Sequence, residues 1–137
     1  MDAARNTVII QDTYAKFGSG DIEGLLNLVT DKVVWETPVV QNSPLGGKRI
    51  GRQAVADFFS LMPTVENMTI FEPKEFIAQG DKVVVLGSFT ATVVETGREY
   101  SSDWVHIFTL SGGKITGFLE FFDNAAADRA FQKAESA

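Results

Sequence analysis

The 137-residue chain has no cysteine and a single histidine, His106. The first absence excludes disulfides, thiolate chemistry and cysteine-based zinc sites; the second excludes a histidine-rich metal centre. Basic residues are outnumbered, with 12 Lys and Arg against 18 Asp and Glu and a net charge of −6. No basic cluster overrides that balance, which disfavours nucleic acid and anionic membrane surfaces as partners. No apolar run approaches the ~18 residues of a membrane span. The start, MDAARNTVIIQDTYAKF, lacks the basic stretch and long apolar run of a secretory signal. A cytoplasmic location is therefore expected. Repeats, low-complexity tracts and linkers are also missing, so residues 1–137 are expected to form one domain.

What is present divides into a helical part and a strand-rich part. Ile10, Tyr14 and Phe17 form one apolar helical stripe. GSGD (Gly18 to Asp21) ends that helix, and Asp21 can cap a short second helix whose Ile22, Leu25, Leu26 and Val29 share a face. KVVWET (Lys32 to Thr37) reads as a strand. The stretch from Pro38 to Ile50 then reads as an irregular loop, long enough to suggest a functional role. A third helix begins near Arg52, carries Val55, Phe58, Phe59 and Met62 on one face, and closes at Pro63. Four strand-like runs follow, MTIFEPKEFIA, KVVVLGSFTATVVET, YSSDWVHIFTL and KITGFLEFF, joined by QGD, GRE and SGG. Pro73 marks an edge or a bulge in the first run, and Gly87 a bend in the second. A last helix is expected over about Asn124 to Lys133.

Helices followed by a meander of long antiparallel strands predict an α+β fold with helices on one face of a sheet. In DWVHIFTL the even positions are Trp104, His106, Phe108 and Leu110, while the odd positions hold Val105, Ile107 and the half-polar Thr109. A sheet apolar on both sides needs cover on both, and helices supply only one. A homodimer through the other face is the expectation.

The last hairpin carries two residues out of keeping with a core: His106 and, within FLEFF, Glu120. Whether they meet depends on the turn. A two-residue Gly112-Gly113 loop pairs Ser111 with Lys114, so even positions face odd ones and the two residues lie on opposite faces of the sheet. A three-residue loop with a left-handed glycine and a bulge puts them on the same face, with Trp104, Phe108, Phe118 and Phe122. A solvated strand face is the plainer account of each residue alone. On a shared inner face, a buried carboxylate costs several kcal/mol unless paired or protonated. A carboxylate in an apolar pocket is also what proton abstraction needs.

GDIEGLLNLVTDKVVWETP, then GRQAVADFF, then TGREYSSDWVHIFTLSGGKITGFLEFFD, taken in order, resemble the SnoaL-like, ketosteroid-isomerase-related group of the nuclear transport factor 2 superfamily. The resemblance covers most of the chain. It implies a cone-shaped roll, in which a curved, mostly antiparallel sheet wraps a pocket closed by the N-terminal helices and dimers form on the sheet's outer face. It also implies the three-residue-loop parity, which places Trp104, His106, Phe118, Glu120 and Phe122 inside. The fold hosts isomerases, cyclases, hydrolases, lyases and non-catalytic binders, so it does not by itself name a reaction.

Carried over by position, an acid on the last strand with a histidine fourteen residues before it matches the arrangement of SnoaL-like cyclases, at Glu120 and His106. The Asp-Arg-Asp triad of limonene epoxide hydrolase would need acid and base near Gly87 and Phe89, and is absent. The base of ketosteroid isomerase would fall on Thr37, and its helix tyrosine nearer Thr13 than Tyr14. Both of those mechanisms are therefore disfavoured. The resemblance thus implies a cofactor-independent enzyme acting on a hydrophobic carbonyl compound, with Glu120 as general base or acid and His106 polarising the substrate. Trp35, Trp104, Phe118 and Phe122 would form the walls, and Tyr14 and Phe59 further contacts. The same pocket without chemistry would make a binder of an apolar metabolite or partner protein. Assembly through the sheet alone would leave a closed core. Asp103 is expected to face away from His106 and Asp123 to cap the last helix. Lys48 and Arg49, in GGKRIGR, read as surface charges able to gate the pocket for an anionic ligand.

Overall fold

A computed structural model describes residues 2–133; Met1 and residues 134–137 of the expected single domain lie outside the described part. The order of elements is α1 (Ala3–Ser19), α2 (Ile22–Leu26), β1 (Val29–Thr37), β2 (Gly47–Ile50), α3 (Arg52–Val65), β3 (Glu66–Gln79), β4 (Lys82–Val93), β5 (Glu99–Ser111), β6 (Lys114–Phe122) and α4 (Asn124–Phe131). The six strands form one curved, unclosed sheet in the order β2-β1-β6-β5-β4-β3, antiparallel except where β1 runs alongside β6. The fold is the α+β roll that the sequence predicts. No helix of the described residues is long and apolar enough to cross a membrane.

The helices begin and end as their capping chemistry dictates. Asp21 accepts a hydrogen bond from Gly24 N at 2.9 Å and starts α2; Gly20, left-handed at φ 77°, ends α1. Asp123 caps α4 by accepting from Ala126 N. Several boundaries depart from expectation. Val29 opens β1 instead of completing the face of α2. Gly47–Ile50, expected in the loop, pairs with β1 as β2, leaving only Pro38–Gly46 irregular. Helix α3 passes Pro63 and ends at Val65. Proline removes the N–H that would bond Phe59 O, but the helix runs only two residues beyond it, and Glu66 N bonds Met62 O at its end. Pro73 lies on the edge strand β3 beside a register shift.

One face of the sheet is buried. Val83, Val85, Phe89, Ala91 and Val93 of β4 alternate inward with Tyr100, Trp104, Phe108 and Leu110 of β5. Gly87 sits in the middle of this row, and any Cβ there would overlap the Trp104 indole and the Glu72 carbonyl oxygen. Here glycine is required by close approach, not by backbone conformation.

The β5–β6 hairpin reaches the implied parity by a two-residue turn and a separate bulge, not by the three-residue loop that the resemblance implies. Its turn has two residues: Gly112 (φ 58°) and Gly113 (φ 79°) are both left-handed, and Ser111 pairs with Lys114. That is the turn expected to separate His106 from Glu120. A bulge then intervenes. Leu110 still pairs with Ile115, but Thr109 pairs with Gly117, so Thr116 is an extra residue in β6. Its hydroxyl donates back to Thr109 O at 3.2 Å. Beyond Thr116 the inward side of β6 changes from odd to even positions, and His106 lies directly opposite Glu120.

Candidate active site

His106 and Glu120 meet inside the roll. His106 Nε2 and Glu120 Oε2 are 2.8 Å apart, and the two side chains are only 6% and 18% exposed. On the other side of the ring, Tyr14 Oη lies 2.7 Å from His106 Nδ1. Tyr14 comes from α1, so the relay joins a helix and two strands. Burial, helped by the negative charge of Glu120, pushes the Tyr14 phenol well above its ordinary range and keeps it protonated. A buried phenol must spend its proton on an acceptor, and among the described residues Nδ1 is the partner it has. The assignment that satisfies every group is neutral imidazole with the proton on Nε2, donating to Glu120. Glu120 Oε1 keeps no hydrogen-bond partner among the described residues.

Aromatic rings hold the imidazole in place. Trp104 stacks on it with centroids 3.9 Å apart, and Phe118 meets it edge-on at 4.7 Å. Beside this relay lies an apolar cavity of about 100 Å³. Tyr14, Trp35, Phe59, His106, Phe118, Glu120 and Phe122 all line it, so seven of the eight expected site residues share one space. The eighth does not: Trp104, 1% exposed, is sandwiched between His106 and Phe71 behind the cavity wall. Trp35 is both core and wall, stacked on Phe118 at 4.0 Å. A cavity of this kind does not fit the reading of a closed core.

The loop after β1 contributes Pro38, Val40, Ser43 and Leu45 to the lining. It is fastened at both sides. Thr37 Oγ1 donates to Leu45 O at 2.8 Å, while Gln41 N donates to Asp128 and Asn124 Nδ2 to Val39 O, both on α4. Arg49 donates to Leu45 O and Pro44 O and lies over the Phe58 ring; it staples the loop, and neither it nor the exposed Lys48 lines the cavity, so the expected anionic gate is not built. Asp103 lies on the outer face, away from His106, as expected.

Two ionisable lining residues were not singled out from the sequence. Glu66, 8% exposed, accepts from the Tyr100 hydroxyl at 3.1 and 3.0 Å on its two oxygens. Glu66 is the first residue of β3, two before the run expected to begin at Met68, and shares that residue's inward parity. Tyr100 continues the even, inward set of β5. Burial pushes the Glu66 carboxyl up; the Tyr100 hydrogen bonds oppose the rise and the charge of Glu120 adds to it.

This has a measurable consequence. The folded protein holds the Glu66 proton at pH values where the unfolded chain, at about 4.3, releases it. Its contribution to stability is therefore full below that value and is lost as pH rises through the raised folded value. Glu66→Gln, which cannot ionise, should lose that pH dependence. Urea unfolding should show the variant gaining on the parent between pH 5 and pH 8. An equal difference at both pH values would show that Glu66 ionises alike in the folded and unfolded chains.

Among the described residues no group of three or more His, Asp or Glu is placed to hold a metal ion. The model of the SnoaL-like domain matches residues 10–118, and the chain belongs to that family. No curated protein matches it. An NTF2-like protein from Burkholderia xenovorans is 33% identical over 96% of this chain and 99% of its own, with a TM-score of 0.88. An NTF2-like protein of unknown function from Burkholderia pseudomallei is 29% identical over 97% of this chain and 100% of its own, at 0.84. TerC, co-crystallised with polyporic acid, is 35% identical over 93% of this chain and 98% of its own, at 0.83.

Proposed function

We propose that the cavity is an active site for acid–base chemistry on a hydrophobic, carbonyl-containing small molecule, of the isomerase, cyclase or lyase kind. The observation that carries this is Glu120, a carboxylate with one oxygen held by His106 and the other unengaged beside an apolar cavity. A base so placed can take a proton from carbon next to a carbonyl and return it elsewhere on the same molecule. His106 has a different task from the one expected. Polarising a carbonyl needs a free ring N–H, and both nitrogens are engaged, by Tyr14 and by Glu120. It orients the carboxylate, and Tyr14 keeps it in the tautomer that does so. That the 35% identical TerC was co-crystallised with polyporic acid supports a small organic molecule as ligand.

The test is exchange of the α-protons of a bulky ketone, 2-tetralone, for deuterium, followed by NMR in D2O. The protein should accelerate it, and Glu120→Gln should lower the acceleration by at least a factor of about 100 without loss of fold. Equal exchange by parent and variant would remove Glu120 as base and leave the cavity as a binding pocket.

The outer face of the sheet supports pairing of two copies. Phe121 is 52% exposed there, next to half-buried Val105, Ile107 and Leu119, and Ile77, 49% exposed, lies in the row of Ile107 and Leu119 across β4. Sedimentation should give a dimer for the parent and a monomer for Phe121→Asp. A monomeric parent would refute the pairing.

A further inference from the structure

Two carboxylates line one cavity, and the reading above employs only Glu120. Glu66 is held by a single donor, the Tyr100 hydroxyl, which both its oxygens share. No lysine or arginine lines the cavity. If Glu66 were ionised, its charge would face Glu120 across an apolar space with no cation to offset it. If protonated, the pair carries two protons. Tyr100 spends its own on Glu66, and the carboxylic acid O–H has no protein acceptor among the described residues. The missing cation and the facing carboxylate favour the second state, and burial pushes the group in the same direction. The result is a nine-tenths buried hydrogen-bond donor on a cavity wall with no partner for its proton.

We propose that Glu66 and Tyr100 form a second polar pole of the ligand site, donating a hydrogen bond to an uncharged oxygen, carbonyl or hydroxyl, at the end of the ligand remote from Glu120. This rests on the cavity being a small-molecule site, but not on Glu120 being a base. Tyr100 and His106 are six residues apart on β5, roughly 20 Å of extended strand, which the curl of the sheet shortens across the cavity. The ligand class that fits is a compact apolar ring system with an oxygen function at each end. A carboxylate ligand fits poorly, since it would meet two acids and no cation. Met62 and Met68, both in the lining, allow the walls to adjust to ring size.

The experiment compares 2-naphthol with 2,6-dihydroxynaphthalene, which differ by one distal oxygen, by fluorescence titration. The parent should bind the dihydroxy probe about tenfold more tightly, the usual worth of one added hydrogen bond at a buried site. Glu66→Gln keeps a donor in the same place and should retain most of that preference. Glu66→Leu should abolish it, and Tyr100→Phe, the milder change should the leucine variant not fold, should reduce it severalfold. The proposal is overturned if the preference survives in Glu66→Leu or Tyr100→Phe. It is equally overturned if Glu66→Gln loses the preference as fully as Glu66→Leu, because the charge would then be what binds, or if the parent binds neither probe. Running the deuterium exchange on the parent alongside separates the two readings: no acceleration with the preference present removes the base alone, and acceleration with no preference removes the second pole alone.

Discussion

Deleting Thr116 should destroy both the site and most of the stability, whereas inserting a glycine between Gly112 and Gly113 should disturb neither much. Thr116 is the extra residue that returns Glu120 to the face of His106. Without it, β6 must either tighten a turn that is already minimal or slip by one residue. A slip turns Phe118, Glu120 and Phe122 outward and brings Leu119 and Phe121 in. Phe118 alone is 7% exposed and touches Trp35, His106 and Phe108, and losing a core phenylalanine costs about 3–5 kcal/mol. The deletion should therefore remove about 5 kcal/mol or more, a large part of the stability of a typical domain. The inserted glycine only lengthens an exposed turn and should cost about 1 kcal/mol. Urea unfolding of the two variants checks this. A deletion tolerated as well as the insertion would show that the bulge does not pin the register.

The second large effect concerns Gly87 and Trp104. Gly87→Ala places a methyl group where the indole and the Glu72 carbonyl already lie, and overpacking of this kind costs about 1–3 kcal/mol. Trp104→Ala opens a void between His106 and Phe71 and should cost about 3–5 kcal/mol. Combined, they should cost less than the sum by about 1 kcal/mol, because the new methyl occupies part of the vacated space; its contact with Glu72 remains. Strict additivity in a double-mutant cycle would show that Gly87 does not serve Trp104. The Trp104 change should also depress the deuterium exchange, since the imidazole loses the ring that holds it toward Glu120. Trp104 thus belongs to the site through its support of His106, not as a wall.

Much of this was legible because alternation survives in the strands. The even set of β5, apolar at Trp104, Phe108 and Leu110, marks the inward face and carries His106 with it. Tyr100 obeys the same rule and escaped notice only because it lies near the start of the strand. Glu66 was hidden differently. It sits where a helix ends and a strand begins, and neither periodicity extends across the junction. The bulge was hidden too: beyond Gly117 the run FLEFF is apolar at both parities, and the step of three between buried Ile115 and Phe118 shows only in the structure. Positions set by tertiary pairing, such as Val29 in β1 and the Gly47–Ile50 strand, have no local signal strong enough to compete with helix and loop propensity. The helix tyrosine of ketosteroid isomerase falls nearer Thr13, yet it is Tyr14 that reaches the imidazole.

The relay also has an order of assembly. His106 and Glu120 are separated by 14 residues within one hairpin, whereas Tyr14 and His106 are separated by 92. The first contact closes a short loop; the second waits until α1 docks on a completed sheet. Until then Glu120 alone fixes which ring nitrogen bears the proton, and Nδ1 lacks its phenol partner. Completing the fold and completing the relay are therefore a single event: a chain with a formed sheet and an undocked first helix would hold His106 beside Glu120 and lack Tyr14.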